Sequence, residues 1–502
     1  MRISDLTCSI EENIKKCDQL AKDTHEKINA IVTFVDHSEQ IEELKEKDSS
    51  LPLYGVPVAI KDNINTKGIR TTASSRILDN YVPIYDATVI KKLKEAGAVV
   101  FAKTSMDELG MGGTNLNAYT GKVNNPYDVT RISGGSSGGS AAVVAQGIVP
   151  CALGTDTGDS IRKPAAYCGI VGFKPTYGRI SRYGVIPYAS SLDHVGFFTT
   201  CIKDACRMLE VCSGRDDKDM TSSYSKVEKY EENLNSDITG KRIAVLDNVM
   251  KAIQDQKIID NFNEVIEKLE KRGAIVERVS MDDALLQTLL PVYLIIANAE
   301  ACANHSNLDG VRFGMRENGD NLEEIMINSR TKGFSSQVRK RFVLGSYSLF
   351  VENQDKLFRK AQKVRRVIVD EYKKILEQYD VVIATAAPTI APRPEESVGE
   401  KMSDSYLVAE NNMVLGNMSG YPSLTLPSGF VDGYPIGINV TAKAFDEQNL
   451  LNILILLNIN LIIQMLVVKL VNHFLILHLM LQKIILFVFH DLNLLIKKEL
   501  VL

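Results

Sequence analysis

Two glycine/serine runs hold the hydroxyls of this chain that are best placed to do chemistry. The first reads Gly134-Gly135-Ser136-Ser137-Gly138-Gly139-Ser140, and the second Gly154-Thr155-Asp156-Thr157-Gly158-Asp159-Ser160, so that Ser136 and Ser160 stand 24 residues apart. Glycine lets backbone N–H groups approach a ligand and turn through conformations that other residues avoid. A glycine-rich loop opening a helix also gathers donors for an anion. A phosphate-binding loop is set aside because no GK[ST] follows the glycines and GxGxxG spacing is absent. A flexible linker fits poorly, since both runs are embedded among apolar segments. The GxSxG elbow is missing and neither loop holds a histidine, so a hydrolase built on these serines needs another base. Lys61 ends the apolar run Val56–Ile60. A strand-end lysine is ordinarily solvated, but a desolvated one can lose enough basicity to act as a general base.

The elements that must position these groups read as alternating strands and helices. Val56–Ile60, Ala98–Ala102 and Pro150–Leu153 look like buried strands, while 86–96 and 140–146 have helical spacing. That alternation predicts an α/β fold with a large, mixed, mostly parallel sheet covered by helices on both faces. Residues 5–46 read as helical with a break near Asn29. The charged stretch 216–237 lacks apolar periodicity and reads as a surface connection. Further on, 242–246, 381–384, 423–426 and 436–440 read as strands, and 258–271 and 357–378 as helices.

A chain of 502 residues with 45% apolar content can bury a large core. Its net charge of −4 lacks the clustered Lys/Arg that an extended nucleic-acid groove needs. The eight cysteines are scattered, without CxxC pairs, as expected of reduced thiols in a cytoplasmic enzyme. The N-terminus has no apolar signal core. No metal-ligand cluster and no nucleotide motif is visible, so neither a metal nor ATP is expected on this chain.

The last 51 residues, 452–502, differ in kind. They contain no Gly, Pro, Ala, Ser or Thr and are dominated by Leu and Ile interleaved with Asn and Lys. The uncharged stretch 448–468 is long enough for a membrane anchor, yet its amide side chains resist a lipid-facing helix. Composition favours a shifted reading frame beginning near Leu450, with a packed helix as the third reading. The expected organisation is therefore one domain over 1–451, an atypical tail, and no membrane attachment.

Taken together, GVPVAIKDN at 55–63, GGSSGGSAA at 134–142 and GTDTGxSIR at 154–162 resemble the amidase signature family. KTSMDELGMG at 103–112, VGFKPTYGRISRYG at 171–184, ASSLD at 189–193 and NMVLGNMSGYPS at 412–423 resemble, more narrowly, the A subunits of glutamyl-tRNA(Gln) amidotransferases. The resemblance implies Ser160 as nucleophile, Ser136 as bridging serine after a cis peptide, and Lys61 as base. Spacing leaves Ser137 as a rival for the bridging role; the family order favours Ser136. The resemblance places the oxyanion hole on Thr157, Gly158 and Asp159, a carboxylate-binding arginine at Arg341, and an acidic substrate contact at Glu410. It implies glutamine as substrate, a heterotrimer with two other subunits, ATP and Mg on one of those partners, and Glu-tRNA(Gln) served through that partner. A stand-alone amidase acting on small amides and a catalytically impaired scaffold are the competing functions.

The chain departs from the family at Asp159, where glycine is expected. A side chain there conflicts with a glycine backbone conformation. A carboxylate about 5 Å from a developing oxyanion costs roughly 3 kcal/mol at an effective dielectric of about 20, on the order of a hundredfold in rate. The expectation is a weakly active protein that Asp159→Gly restores, with Lys163, where glutamine is frequent, offsetting part of the penalty. His194 and Phe197 are further departures, and ordinary packing is the expectation for His194.

Overall fold

The computed structural model describes residues 1–398, 403 and 405–457. Met1–Ile455 forms one compact unit, and of a second unit, Leu456–Leu502, only the first two residues are described. The frame-shift reading of the tail therefore falls mostly outside the described residues, as does the 458–468 part of the stretch read as an anchor. The Asn452 side-chain oxygen accepts from the Asn235 N–H at 3.0 Å, and Leu451, Ile453 and Leu454 are buried. No helix among the described residues is long and apolar enough to cross a membrane.

Eleven strands make one sheet. In chain order they are β1 (Ile31–Phe34), β2 (Pro57–Lys61), β3 (Val99–Thr104), β4 (Cys151–Asp156), β5 (Val171–Lys174), β6 (His194–Thr199), β7 (Arg242–Leu246), β8 (Ile275–Val279), β9 (Val381–Thr385), β10 (Ser423–Val431) and β11 (Tyr434–Ala442). Their spatial order is β1-β3-β2-β4-β6-β5-β10-β11-β9-β7-β8. The mixed α/β sheet is as expected, but its balance leans antiparallel. Parallel pairing is confined to β3-β2-β4 and β9-β7-β8, and every other neighbouring pair runs antiparallel. A parallel pair needs a crossover, which the helix Thr88–Glu95 supplies between β2 and β3. Strands β10 and β11 instead join through the two residues Asp432 and Gly433, with φ of 51° and 83°, as a tight hairpin demands.

Strands β2, β3, β4 and β6 are buried at every residue. Since alternate side chains point to opposite faces, both faces there are covered. The helix Gly138–Ala145 is buried from Gly138 to Val144, and its small side chains share a core with Phe101, Ala152, Ile161 and Phe198. The region 5–46 is not wholly helical. Asn29, left-handed at φ 53°, ends the helix Ile10–Ile28, and the β-branched run after it becomes β1 on the sheet edge. Residues 216–237 form neither helix nor strand.

Candidate active site

Lys61 is the last residue of β2, and its neighbour strand β4 ends at Asp156, so the two strands deliver the lysine and the second serine loop to one end of the sheet. The helix Gly138–Ala145 begins where the first loop ends. The loop is clamped from two sides. Ser136 O accepts from Asp107 N at 3.1 Å, Gly135 N donates to Gly113 O at 2.9 Å, and Gly138 N donates to Asn115 Oδ1 at 3.0 Å. From the other side, Ser137 N donates to Ser160 O at 3.1 Å. The approach leaves no room for a side chain at 135, where a Cβ would fall 2.0 Å from Asp107 Oδ2. The Gly135–Ser136 peptide is cis.

Lys61 Nζ donates to Ser136 Oγ at 2.9 Å and to Thr155 Oγ1 at 2.8 Å, with Thr155 O at 3.3 Å. Ser137 points elsewhere: its hydroxyl donates to Thr155 O at 3.0 Å. The structure thus brings Lys61 to Ser136 and not to the rival serine. Ser160 is buried on the adjoining loop, linked to the first loop through its backbone; no hydrogen bond joins the Ser136 and Ser160 hydroxyls. Lys61 is completely buried, which pulls its ammonium down to about 7, against the opposing pull of Asp107, Asp156 and Asp193. Its direct partners are neutral oxygens, so nothing in contact holds the proton on. Burial pushes Asp193 up to about 6, while Thr157 Oγ1 donates to it at 2.7 Å.

The loop 157–160 is shaped from behind by a buried ion pair. Arg162 reaches both Asp156 oxygens, with Nη2 to Oδ1 at 3.0 Å and Nε to Oδ2 at 3.1 Å, and also donates to Gly158 O at 2.8 Å. The guanidinium holds Asp156 well below the usual carboxylate range. Asn417 closes the network with Nδ2 to Asp156 Oδ1 at 2.9 Å. Among the described residues, no group accepts from the backbone N–H of Thr157, Gly158, Asp159 or Ser160. Four successive backbone N–H groups beside a buried serine are therefore without a protein acceptor among the described residues.

Asp159 is not among the residues with positive φ, so the backbone there is open to any side chain, and the expected conformational conflict does not arise. Nor is its charge isolated, since Lys163 Nζ lies 2.7 Å from Asp159 Oδ2 and 2.7 Å from Glu410 Oε1. The penalty reckoned for a bare carboxylate therefore does not apply as it stands. Arg341 Nη1 donates to Tyr188 Oη at 2.5 Å, and Tyr188 lines a cavity of about 250 Å³ together with Thr155, Thr157 and Asp193. A Cβ on Gly158 would lie 3.0 Å from Tyr293 Cζ, so this tyrosine packs directly on the loop.

His194 is packed, as expected: Nδ1 lies 2.6 Å from Leu192 O and the ring meets Tyr177 edge-on. Sequence reasoning missed Thr155, Asp107, Tyr188, Asp193 and Asn417. All five lie inside the quoted motifs or directly beside one, but no residue type or spacing marked them, because their partners come from distant segments.

The chain matches the amidase family over residues 12–451. It is 42% identical to the glutamyl-tRNA(Gln) amidotransferase A subunit of Persephonella marina, over 88% of this chain and 92% of the relative. The corresponding protein from Lactobacillus acidophilus is 41% identical over 89% and 94%. The crystal structure of the Thermotoga maritima counterpart superposes with a TM-score of 0.75 at 34% identity, covering 90% of this chain and 93% of the other. Peptide amidase from Stenotrophomonas maltophilia gives 0.77 at 25% identity, covering 90% and 95%. With that extent of match, and with the lysine and both serine loops gathered at one end of the sheet, the chain belongs to the amidase signature family of amidases and amidotransferases.

Proposed function

We propose that this chain is the glutaminase component of a tRNA-dependent amidotransferase, hydrolysing glutamine through Lys61, Ser136 and Ser160. The observation that carries the chemistry is the 2.9 Å contact from a buried Lys61 to Ser136, beside the four unpaired N–H groups of 157–160. Neutral Lys61 takes the Ser136 proton while Ser136 takes the proton of Ser160, whose Oγ bonds to the amide carbon. The N–H groups of Thr157, Gly158 and Asp159 receive the oxyanion, each worth about 2.7–4 kcal/mol. The C–N bond then breaks, the proton returns from Lys61 through Ser136 to the departing nitrogen, and ammonia leaves an acyl-Ser160. Water repeats the sequence in place of Ser160 and releases the acid. Arg341 takes the substrate carboxylate, its guanidinium braced by Tyr188, and Glu410, which pairs with Lys163, is the acidic substrate contact.

The relatives at 40–42% identity, named as A subunits of glutamyl-tRNA(Gln) amidotransferases, support an amidotransferase role, and the family resemblance supplies the rest of the reading. Ammonia passes to a partner within a heterotrimer, which uses ATP and Mg to convert Glu-tRNA(Gln) to Gln-tRNA(Gln). Eight unpaired cysteines suit a cytoplasmic setting. The test is co-expression with the candidate partner subunits, followed by glutamine hydrolysis with and without Glu-tRNA and ATP. Turnover that rises in the complex is the expected result. Hydrolysis of varied small amides by the isolated chain, without response to partners, would replace this reading with a stand-alone amidase.

A further inference from the structure

Asp159, Lys163 and Glu410 make a line of charge along the nucleophile loop. Asp159 immediately precedes Ser160. Lys163 follows one turn later, its N–H closing on Asp159 O at 2.9 Å, so one turn of chain sets both the backbone contact and the ion pair. The ammonium also donates to Glu410 O at 2.9 Å, and the Lys163 side chain is only 6% exposed. Two carboxylates and one ammonium leave one net negative charge, the same as Glu410 would leave alone.

We propose that Lys163 is a positioning residue that cancels the Asp159 charge beside the oxyanion, so that Asp159 is a tolerated half of a neutral pair and not a lesion. The inference rests on reading Ser160 as nucleophile and the 157–160 N–H groups as oxyanion donors. The two carboxylates hold Lys163 well above its ordinary range, so it stays charged throughout neutral pH. The other groups facing the cluster are Tyr167, Tyr406, Tyr293 and Arg341. Burial raises all three tyrosines, and Arg341 is raised by its tyrosine neighbours, so none of the four changes charge between about pH 5 and 9.

The test is a cycle of Lys163→Gln, Asp159→Asn and the double variant, with Lys163→Arg as the conservative control. Two readouts are glutamine turnover and the rate at which a neutral fluorophosphonate labels Ser160. Lys163→Gln is expected to lower kcat and labelling by about a hundredfold with little change in KM. Adding Asp159→Asn to it recovers more than about tenfold, and Lys163→Arg keeps most of the activity.

Full activity in Lys163→Gln overturns the proposal. So does a loss that Asp159→Asn fails to recover, or an equal gain from Asp159→Asn in both backgrounds. Should Lys163→Gln not fold, Lys163→Met replaces it; failure of both makes Lys163 purely structural and also overturns the proposal. Labelling without glutamine turnover refutes only the glutamine reading, and the cycle is then read from labelling. No labelling in any protein removes the nucleophile assignment and the proposal with it.

Discussion

Two lysines are buried at this site and are treated in opposite ways. Lys61 meets a serine hydroxyl, a threonine hydroxyl and a carbonyl, and burial pulls it down to about 7. Lys163 is also buried, but two carboxylates at 2.7 Å push it well above its ordinary value. Burial penalises both ammonium ions; only contact with an anion repays that penalty. Lys61 has carboxylates nearby, at Asp107, Asp156 and Asp193, yet each is engaged by its own donors and none touches it. The site therefore separates a lysine that can shed its proton from one that cannot.

The comparison breaks most completely at Lys61→Arg. A guanidinium stays protonated, so no base remains and kcat is expected to fall by about 10²–10⁴-fold, measured as ammonia release. A pH profile sharpens it next. A lysine accepts a proton only once it has lost its own, so kcat/KM climbs about tenfold per pH unit up to about pH 7 and levels off above. A flat profile between about pH 5.5 and about pH 7 contradicts a base that titrates near 7.

Smaller effects separate the two serines. Ser136→Ala removes the hydroxyl that Lys61 touches, whereas Ser137→Ala removes a hydrogen bond to the Thr155 carbonyl. The second change is expected to cost about 1 kcal/mol of stability, read as a modest drop in Tm. Its turnover should far exceed that of Ser136→Ala, and equal losses would return Ser137 to contention. A further effect is on stability against pH. Lys61 sheds its proton near 7 when folded but near 10.5 otherwise, so between these values the unfolded chain binds more protons. Stability from this group therefore rises with pH across that window, by up to about 1.4 kcal/mol per unit. Denaturation curves of the parent and Lys61→Met should keep a constant offset below pH 7 and diverge above it.

Much of the fold was legible because its signals are local. The apolar runs that became β2, β3, β4 and β7 sit within a few residues of where the sequence puts them. The antiparallel pairings of β10 with β5 and of β11 with β9 were not legible, since they join distant stretches of chain and pairing direction leaves no mark on a single strand. Strand β1 was absorbed into a helical reading because the four residues of that strand are too few to show a period.

The sequence by itself determined the chemical inventory: one strand-end lysine, two glycine/serine loops, and motifs specific enough to name a family. Only the tertiary structure decided that Ser136 rather than Ser137 meets Lys61, that four N–H groups of 157–160 find no acceptor among the described residues, and that Lys163 pairs with both Asp159 and Glu410. The reason is physical. Residue type sets what a group can do, but its charge and aim depend on desolvation and on partners, and those partners arrive from segments up to 261 residues away.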